Sequence, residues 1–391
     1  MPYSEWRSSS YPFACVLGVG VAISLLYSTR TPESQYQISN VRSGLRNASL
    51  ITVVADPGYP GYDPFDVPYT QVQCIPCLNG TIVEGDIPLA IIGGAMKGGT
   101  RALLTYLGQH PQVYTNQGHE THIFDGRNVD IFKGKDDEVF DQCAVLGAFR
   151  DLFEKKRRHQ PKGLGAFGAA DLSFFDKSPS YLEASHIVPQ RILCALPEAK
   201  VVFVLRNPVD RAYSHFQHCA RKHNSGSTAG LCNGQTFEQF IDKDMMGLDR
   251  AGVLKASTPA EEYDAWQKYH GLGGKKKDFV LAKGLYSITL RQWIAVFRDY
   301  FGKDRWSDHI LILESEYMHT NKQEAFDRTL DFLGLPGYVL SDDMEDYHVG
   351  HYEPMTNGMR ERLEKFFRPY NQRLHKMLLP LGIEISWARN S

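Results

Sequence analysis

The sequence has almost no net charge. Its 43 lysine and arginine residues are nearly matched by 45 aspartate and glutamate residues, which gives a formal net charge of −2 over 391 residues. No overall positive field is available to attract nucleic acid, so we expect no nucleic acid partner, and a polyanion would have to bind a local basic patch. Internal repeats and low-complexity tracts are absent from the sequence, and a hydrophobic content of 42% allows one large core or two modest ones.

Cysteine is scarce as well. Among the seven cysteines, Cys74 and Cys77 form the one C-x-x-C pair. A zinc site would need a second such half and a redox site a strand-helix context, so the pair favours a local disulfide, and no metal site is predicted. Cys15 lies in an apolar segment, and the six cysteines that remain suit an oxidising compartment. A disulfide between Cys219 and Cys232 is predicted to close a Gly/Ser-rich insertion.

Only one apolar run approaches the length that spans a bilayer, at residues 11–27. No clear small-residue cleavage site follows it, so it favours a transmembrane signal anchor over a cleaved signal peptide, with residues 1–10 as a cytoplasmic tail. The rest of the chain would then be lumenal, where the sequons at Asn47 and Asn79 could carry glycans. We therefore expect a single-pass type II membrane protein.

Residues 28–85 show no sustained helical period, and their second half is dense in proline, glycine and tyrosine. This composition predicts a stiff lumenal stem that holds a compact domain away from the membrane. The domain is predicted to begin near Asp86 and to run to residue 391.

A glycine-rich stretch opens this domain. The apolar run Leu89 to Ile92 predicts a buried strand, four glycines follow it, and an amphipathic helix begins near Thr100. A strand, a glycine loop and a helix form a cradle for a phosphate or sulfate, to which Lys97 adds a positive charge. The lysine precedes Gly98 and Gly99 instead of following them, which argues against a nucleoside triphosphatase of the G-K-[ST] type.

Further apolar runs at residues 112–115, 171–176, 200–205 and 310–313 predict strands that alternate with helices. The pattern predicts a three-layer α/β domain with a central parallel sheet. Charged residues follow the carboxyl ends of its strands, where ligands of such sheets bind. A right-handed unit would place Glu120, after the second strand, beside Lys97, and Lys177 and Arg206 end two later strands.

A further motif begins at Arg206. Asn207 can cap a helix that Pro208 begins, and on this helix Arg211 and Ser214 share a face because they are three residues apart.

Together these motifs resemble those of the Golgi carbohydrate sulfotransferases, most of all the heparan sulfate glucosaminyl 3-O-sulfotransferases. The resemblance spans residues 88–378. It rests on Lys97-Gly98-Gly99-Thr100-Arg101, Glu120-Thr121-His122-Ile123-Phe124-Asp125, Lys177-Ser178-Pro179-Ser180-Tyr181 and the run Arg206 to Ser214.

The resemblance implies a Golgi enzyme that transfers a sulfuryl group from 3′-phosphoadenosine 5′-phosphosulfate to a hydroxyl of a glycan, with a glycosaminoglycan-like polysaccharide as the acceptor. Positioning and electrostatics would do most of the catalysis, and no metal is expected to be required.

The same resemblance assigns roles to individual residues. Lys97 and the N–H groups of Gly98 to Arg101 would hold the 5′-phosphosulfate, and Arg206 and Ser214 would clamp the 3′-phosphate. Glu120 would act as the general base toward a polysaccharide acceptor. The remaining residues would orient the base or contact the acceptor, namely His122, Asp125, Lys177, Ser178 and Tyr181.

Each role has an alternative: Glu120 could be an ion-paired structural residue, and Arg206 could pair with Asp210. The basic runs 155–159 and 275–277 fit either an anionic chain or a solvated surface.

The sequence departs from the family in two places, which leaves the acceptor open. It has a long insertion between residues 215 and 283, and it lacks a basic turn at 347–354. A nucleotide kinase and a glycan-binding protein without catalysis are the rival functions.

Overall fold

A computed structural model describes residues 64–65, 67–69, 71–77, 87–114, 120–126, 139–158, 173–224, 234–271, 280–341 and 352–389. The strands are β1 (Gln73–Ile75), β2 (Ala90–Gly94), β3 (Val113–Tyr114), β4 (Val139–Asp141), β5 (Ser173–Lys177), β6 (Val201–Leu205) and β7 (Ile310–Glu314). The helices are α1 (Thr100–Leu107), α2 (Gln142–Arg158), α3 (Val188–Ala195), α4 (Pro208–Asn224), α5 (Phe237–Ala251), α6 (Pro259–Gly271), α7 (Tyr286–Phe301), α8 (Ser315–Thr320), α9 (Lys322–Leu333), α10 (Asn357–Leu378) and α11 (Ser386–Arg389).

Five strands form a parallel sheet in the order β3-β5-β2-β6-β7. Alternate residues of its strands enter two separate cores, so that Ile91 and Phe203 lie on one face while Ile92 and Val204 lie on the other. Helices α1 and α9 cover the second face, and α2, α3 and α7 cover the first. Near-continuous apolar strands are typical of a sheet that is buried on both faces. The predicted three-layer α/β domain is confirmed.

A third core lies beside this sheet and is built by α4, α5, α6 and α10, with Trp266 and Phe367 among its buried residues. Pro369 lies inside the last long helix, and α10 continues through it. Pro369 is exposed, so water can reach the carbonyl group that loses its hydrogen bond at this position.

Residues 64–77 differ most from expectation, because they were placed in the stem. Phe65 and Val67 are buried in the main core, and β1 pairs in parallel with β4. Two disulfides, Cys74–Cys194 and Cys77–Cys143, join this stretch to α3 and α2. The predicted local Cys74–Cys77 disulfide is therefore wrong: each cysteine lies within disulfide reach of a different helix, at Cα–Cα distances of 5.7 and 4.8 Å.

Several predictions lie outside the described residues, among them the tail, the anchor, the remainder of the stem and the sequons at Asn47 and Asn79. In the part of the chain that the structure describes, no helix is both long enough and apolar enough to cross a membrane. Cys219 is disulfide-bonded, and its expected partner Cys232 is another of the residues left undescribed.

Candidate functional site

The glycine loop, residues 93–99, makes a tight turn between β2 and α1. Gly99 caps α1 with a φ of 103°, and Lys97 itself has a φ of 65°, in the left-handed region. At Gly98 a Cβ atom would clash with the carbonyl oxygen of Val204, so only glycine fits this approach to β6. The loop therefore holds Lys97 in a conformation that an unsupported chain rarely adopts.

One part of the predicted anion cradle is used inside the loop. The N–H group of Gly98 donates to the carbonyl oxygen of Ala95 at 2.8 Å, so it does not point toward a ligand. Gly99, Thr100 and Arg101 lie at the start of α1, where the backbone N–H groups of a helix are suited to bind an anion.

Four arginines lie close enough to Lys97 to affect its charge. Burial lowers the pKa of Lys97 most, the charges of Arg221, Arg206, Arg211 and Arg101 add to this in that order, and together they bring the pKa to about 8. We call these five residues the cationic cluster. Like charges repel, so an anion bound among them would relieve an unfavourable arrangement.

Helix α4 carries Arg211 and Ser214, as the sequence predicts. It begins at Pro208, and the Asn207 side chain accepts a hydrogen bond from the Val209 N–H at 3.0 Å. Arg211 is buried and donates to the carbonyl oxygen of Met96, next to Lys97, at 3.3 Å. Ser214 lies about one turn further along the helix and is almost fully buried.

Sequence reasoning missed Arg221. It lies seven residues after Ser214 on α4, so the two residues share a face, and that spacing was the available signal. The alternative in which Asp210 pairs with Arg206 finds no support, because Asp210 forms an ion pair with Arg360 of α10 at 2.7 Å.

A second group of side chains surrounds Glu120. One carboxylate oxygen lies 3.6 Å from the Lys177 Nζ atom, and the other lies 3.3 Å from the His122 Nε2 atom. The Nδ1 atom of His122 lies 2.8 Å from an oxygen of Asp125, which also accepts from Ser180 at 2.6 Å. Burial raises the pKa of Glu120, but the hydrogen bond from His122 and the charge of Lys177 outweigh burial and leave it below its ordinary value.

The sheet order corrects the expected position of Glu120. Strand β5 lies between β2, which leads to Lys97, and β3, which precedes Glu120. Lys177 at the end of β5 is therefore the lysine that contacts Glu120. Sequence alone does not give this order, because a strand-helix-strand unit leaves room for a later strand to insert between its two strands.

Three residues that were expected to contact substrate are buried. Ser178 and Tyr181 are fully enclosed, and the Asp125 side chain is only 2% exposed. Ser178 and Tyr181 bind the backbone of the 120–126 segment, while Asp125 holds His122. Their burial favours a supporting position behind the site over a direct contact with substrate.

Across the described ranges, no group of three or more His, Cys, Asp or Glu residues is arranged to hold a metal ion.

Comparison with known proteins places these motifs in a family model. Residues 88–251, which include the cationic cluster, Glu120 and Lys177, match the model described as the sulfotransferase family. The mouse bifunctional heparan sulfate N-deacetylase/N-sulfotransferase 1 is 25% identical over 336 residues, and the match covers 77% of this chain and 31% of that protein. The human heparan sulfate glucosamine 3-O-sulfotransferase 6 is 25% identical over 328 residues, covering 77% of this chain and 74% of the relative.

The chain thus spans about a third of the length of the bifunctional relatives. Among solved structures, a sulfotransferase from Alicyclobacillus acidocaldarius is similar with a TM-score of 0.49 and 24% identity, over 78% of this chain and 99% of the other.

Proposed function

We propose that this chain, which contains a sulfotransferase family domain, transfers a sulfuryl group from 3′-phosphoadenosine 5′-phosphosulfate to a hydroxyl of a glycosaminoglycan-like polysaccharide. The observation that carries the proposal is the cationic cluster, which lies at a glycine loop and a helix start within the matched residues. The relatives named above act on heparan sulfate by their names, which supports a glycan of this class as the acceptor.

The cluster fits a donor with phosphate groups at both ends. Lys97 and the N–H groups at the start of α1 would hold the phosphosulfate, with Arg101 beside them. Arg206 and Ser214 would hold the 3′-phosphate, a group that ATP lacks. The donor supplies a sulfuryl group on a good leaving group, so the protein has to position the acceptor and stabilise the charge that develops on the phosphate.

Glu120 would accept the proton of the acceptor hydroxyl. Its lowered pKa keeps it ionised near neutral pH, and its contacts with His122 and Lys177 fix its direction. A low pKa also makes Glu120 a weak base, so most of the rate enhancement would come from positioning. Lys177 would lie beside both the base and the acceptor oxygen.

An amine acceptor is the second candidate, because the first relatives include N-sulfotransferases by name. A panel of three heparan samples separates the two candidates. One sample has free amines, the second is fully N-sulfated, and the third is fully N-sulfated and also O-desulfated. Release of 3′-phosphoadenosine 5′-phosphate with N-sulfated chains supports a hydroxyl acceptor, whereas release only with free amines supports an amine.

The same panel tests the rival functions. Donor binding without product release on heparan, chondroitin and other polysaccharides would favour a glycan-binding protein that lacks catalysis. Magnesium-dependent phosphate transfer from ATP would favour a nucleotide kinase.

We also propose the Golgi lumen as the location of residues 28–391, held by residues 11–27 as a type II signal anchor. The disulfides Cys74–Cys194 and Cys77–Cys143 suit an oxidising compartment. Expression in animal cells, followed by glycosidase digestion of the parent and of Asn47→Gln and Asn79→Gln variants, tests this location. A parent chain whose mobility digestion does not change argues against it.

A further inference from the structure

The 120–126 segment has no regular secondary structure, although it carries Glu120. Side chains from the neighbouring stretch 176–191 bind its backbone. The His122 N–H donates to the Ser178 hydroxyl at 3.0 Å, and the Phe124 N–H donates to the Tyr181 hydroxyl at 3.2 Å. Arg191 donates to the carbonyl oxygen of Phe124 at 3.0 Å.

Asp176 lies behind both hydroxyl groups. It is fully buried and accepts hydrogen bonds from Ser178 at 3.3 Å and from Tyr181 at 3.0 Å. A hydroxyl whose proton points at Asp176 turns its lone pairs the other way, toward the backbone N–H groups of the segment. Asp176 also accepts from Thr121 at 2.5 Å, which adds a direct bond to the residue after Glu120.

From this arrangement we propose that Asp176 is a positioning residue: as a carboxylate it orients three hydroxyl groups and thereby fixes the segment that presents Glu120 to the acceptor. The inference rests on the proposed function for its effect on turnover, but not for its effect on the segment itself. The effect needs a carboxylate, because a carboxylate accepts on both oxygens, whereas an amide or a protonated carboxyl group presents a donor to one of the three hydroxyls.

The ionisation of Asp176 gives this role a pH signature. Burial raises the pKa of Asp176, the hydrogen bonds from Thr121, Tyr181 and Ser178 oppose it, and the charge of nearby Asp125 adds to the rise, so that the pKa is about 6. The pKa of Tyr181 is raised well above its ordinary value, so Tyr181 stays protonated in this range, and the pKa of Glu120 is lowered. Turnover should therefore decline as the pH falls through about 6, well above the pKa of Glu120 itself.

Two isosteric variants should change this decline in different ways. Asp176→Asn removes the titrating group, so turnover should fall about ten- to a hundred-fold near neutral pH and the decline near pH 6 should vanish. Thr121→Val removes the hydrogen bond that lowers the pKa of Asp176 most, so the decline should move to higher pH. The Michaelis constant for the donor should stay near that of the parent in both variants.

Glu262→Gln is the matched control. Glu262 is also a buried carboxylate, but it pairs with Arg291 and Arg373 outside the 120–126 segment. The Glu262→Gln variant should lower thermal stability without changing the pH profile of turnover. A profile that Asp176→Asn and Thr121→Val leave unchanged would overturn the inference, as would a loss of donor affinity equal to the loss of turnover.

Amide hydrogen exchange provides a readout that needs no turnover. In Asp176→Asn, exchange at residues 120–126 should rise at least tenfold, while exchange at the glycine loop stays unchanged. Equal exchange in the parent and the variant would overturn the inference. A parent that shows protected amides but releases no product with any acceptor would instead contradict the proposed function.

Discussion

The two sides of the site use charge in opposite ways. Around Lys97, like charges lie close together, and they lower the pKa of the lysine. Around Glu120, opposite charges alternate, because Lys177 and His122 flank the carboxylate and Asp125 lies beyond His122. A cluster of like charges is suited to bind an anion, whereas a balanced network is suited to hold one group in one direction.

The largest effect should come from removing residues 1–85. The sequence predicts that a chain beginning at Asp86 folds, but the structure leads to the opposite expectation. Such a chain lacks both described disulfides, whose loops span 120 and 66 residues, and it lacks buried Phe65 and Val67. Each disulfide contributes about 4 to 5 kcal/mol in the loop-entropy model.

Thermal unfolding of chains that begin at residue 64 and residue 86 checks this expectation. The shorter chain should fail to fold or should unfold at a much lower temperature. Equal melting temperatures would show that residues 64–77 belong to the stem and not to the folded domain.

Glu120→Gln should act on turnover alone. It keeps the size of the side chain and removes its basicity, so turnover should fall by roughly a hundred-fold or more. Donor affinity and melting temperature should stay near those of the parent, because Glu120 contacts neither the glycine loop nor the main core in the contacts described above. If activity persists, another group is the base, with His122 the next candidate; if stability or donor affinity falls too, Glu120 is structural.

Arg206→Ala and Ser214→Ala should act on donor affinity alone. Hydrogen bonds to a charged group contribute about 1.5 to 3 kcal/mol each, so each loss should weaken 3′-phosphoadenosine 5′-phosphate binding roughly ten- to a hundred-fold. Calorimetry should show little change for adenosine 5′-phosphate, which lacks the 3′-phosphate. Equal losses of affinity for both ligands would contradict the proposal that Arg206 and Ser214 bind the 3′-phosphate.

Local patterns in the sequence predict one side of the site better than the other. The glycine loop, the strand that leads to Arg206 and the start of α4 are each formed by a continuous stretch of sequence, so spacing and capping rules identify them. The surroundings of Glu120 depend on pairings between distant residues. The insertion of β5 between β2 and β3, the disulfide Cys77–Cys143 and the bonds to Asp176 join elements that no local rule connects.

The smallest effect concerns the pH dependence of donor binding. Because the pKa of Lys97 is lowered to about 8, the free protein loses this charge between pH 7 and pH 9. The protonated fraction falls about tenfold over that range, while a bound phosphate keeps its own charge, since its second pKa is about 6. Binding of 3′-phosphoadenosine 5′-phosphate should therefore weaken up to about tenfold between pH 7 and pH 9.

The free energy of unfolding of the free protein should instead rise with pH. The folded pKa of Lys97 lies below its ordinary value of 10.5, so burying the charged form costs stability at low pH, and that cost is lost as the pH rises through 8 toward 10.5. Lys97→Met should bind the nucleotide weakly at every pH and should show neither trend. Calorimetric titrations of the parent and Lys97→Met across this range measure the difference, and a parent affinity that is constant from pH 7 to pH 9 would mean that Lys97 does not contact the donor.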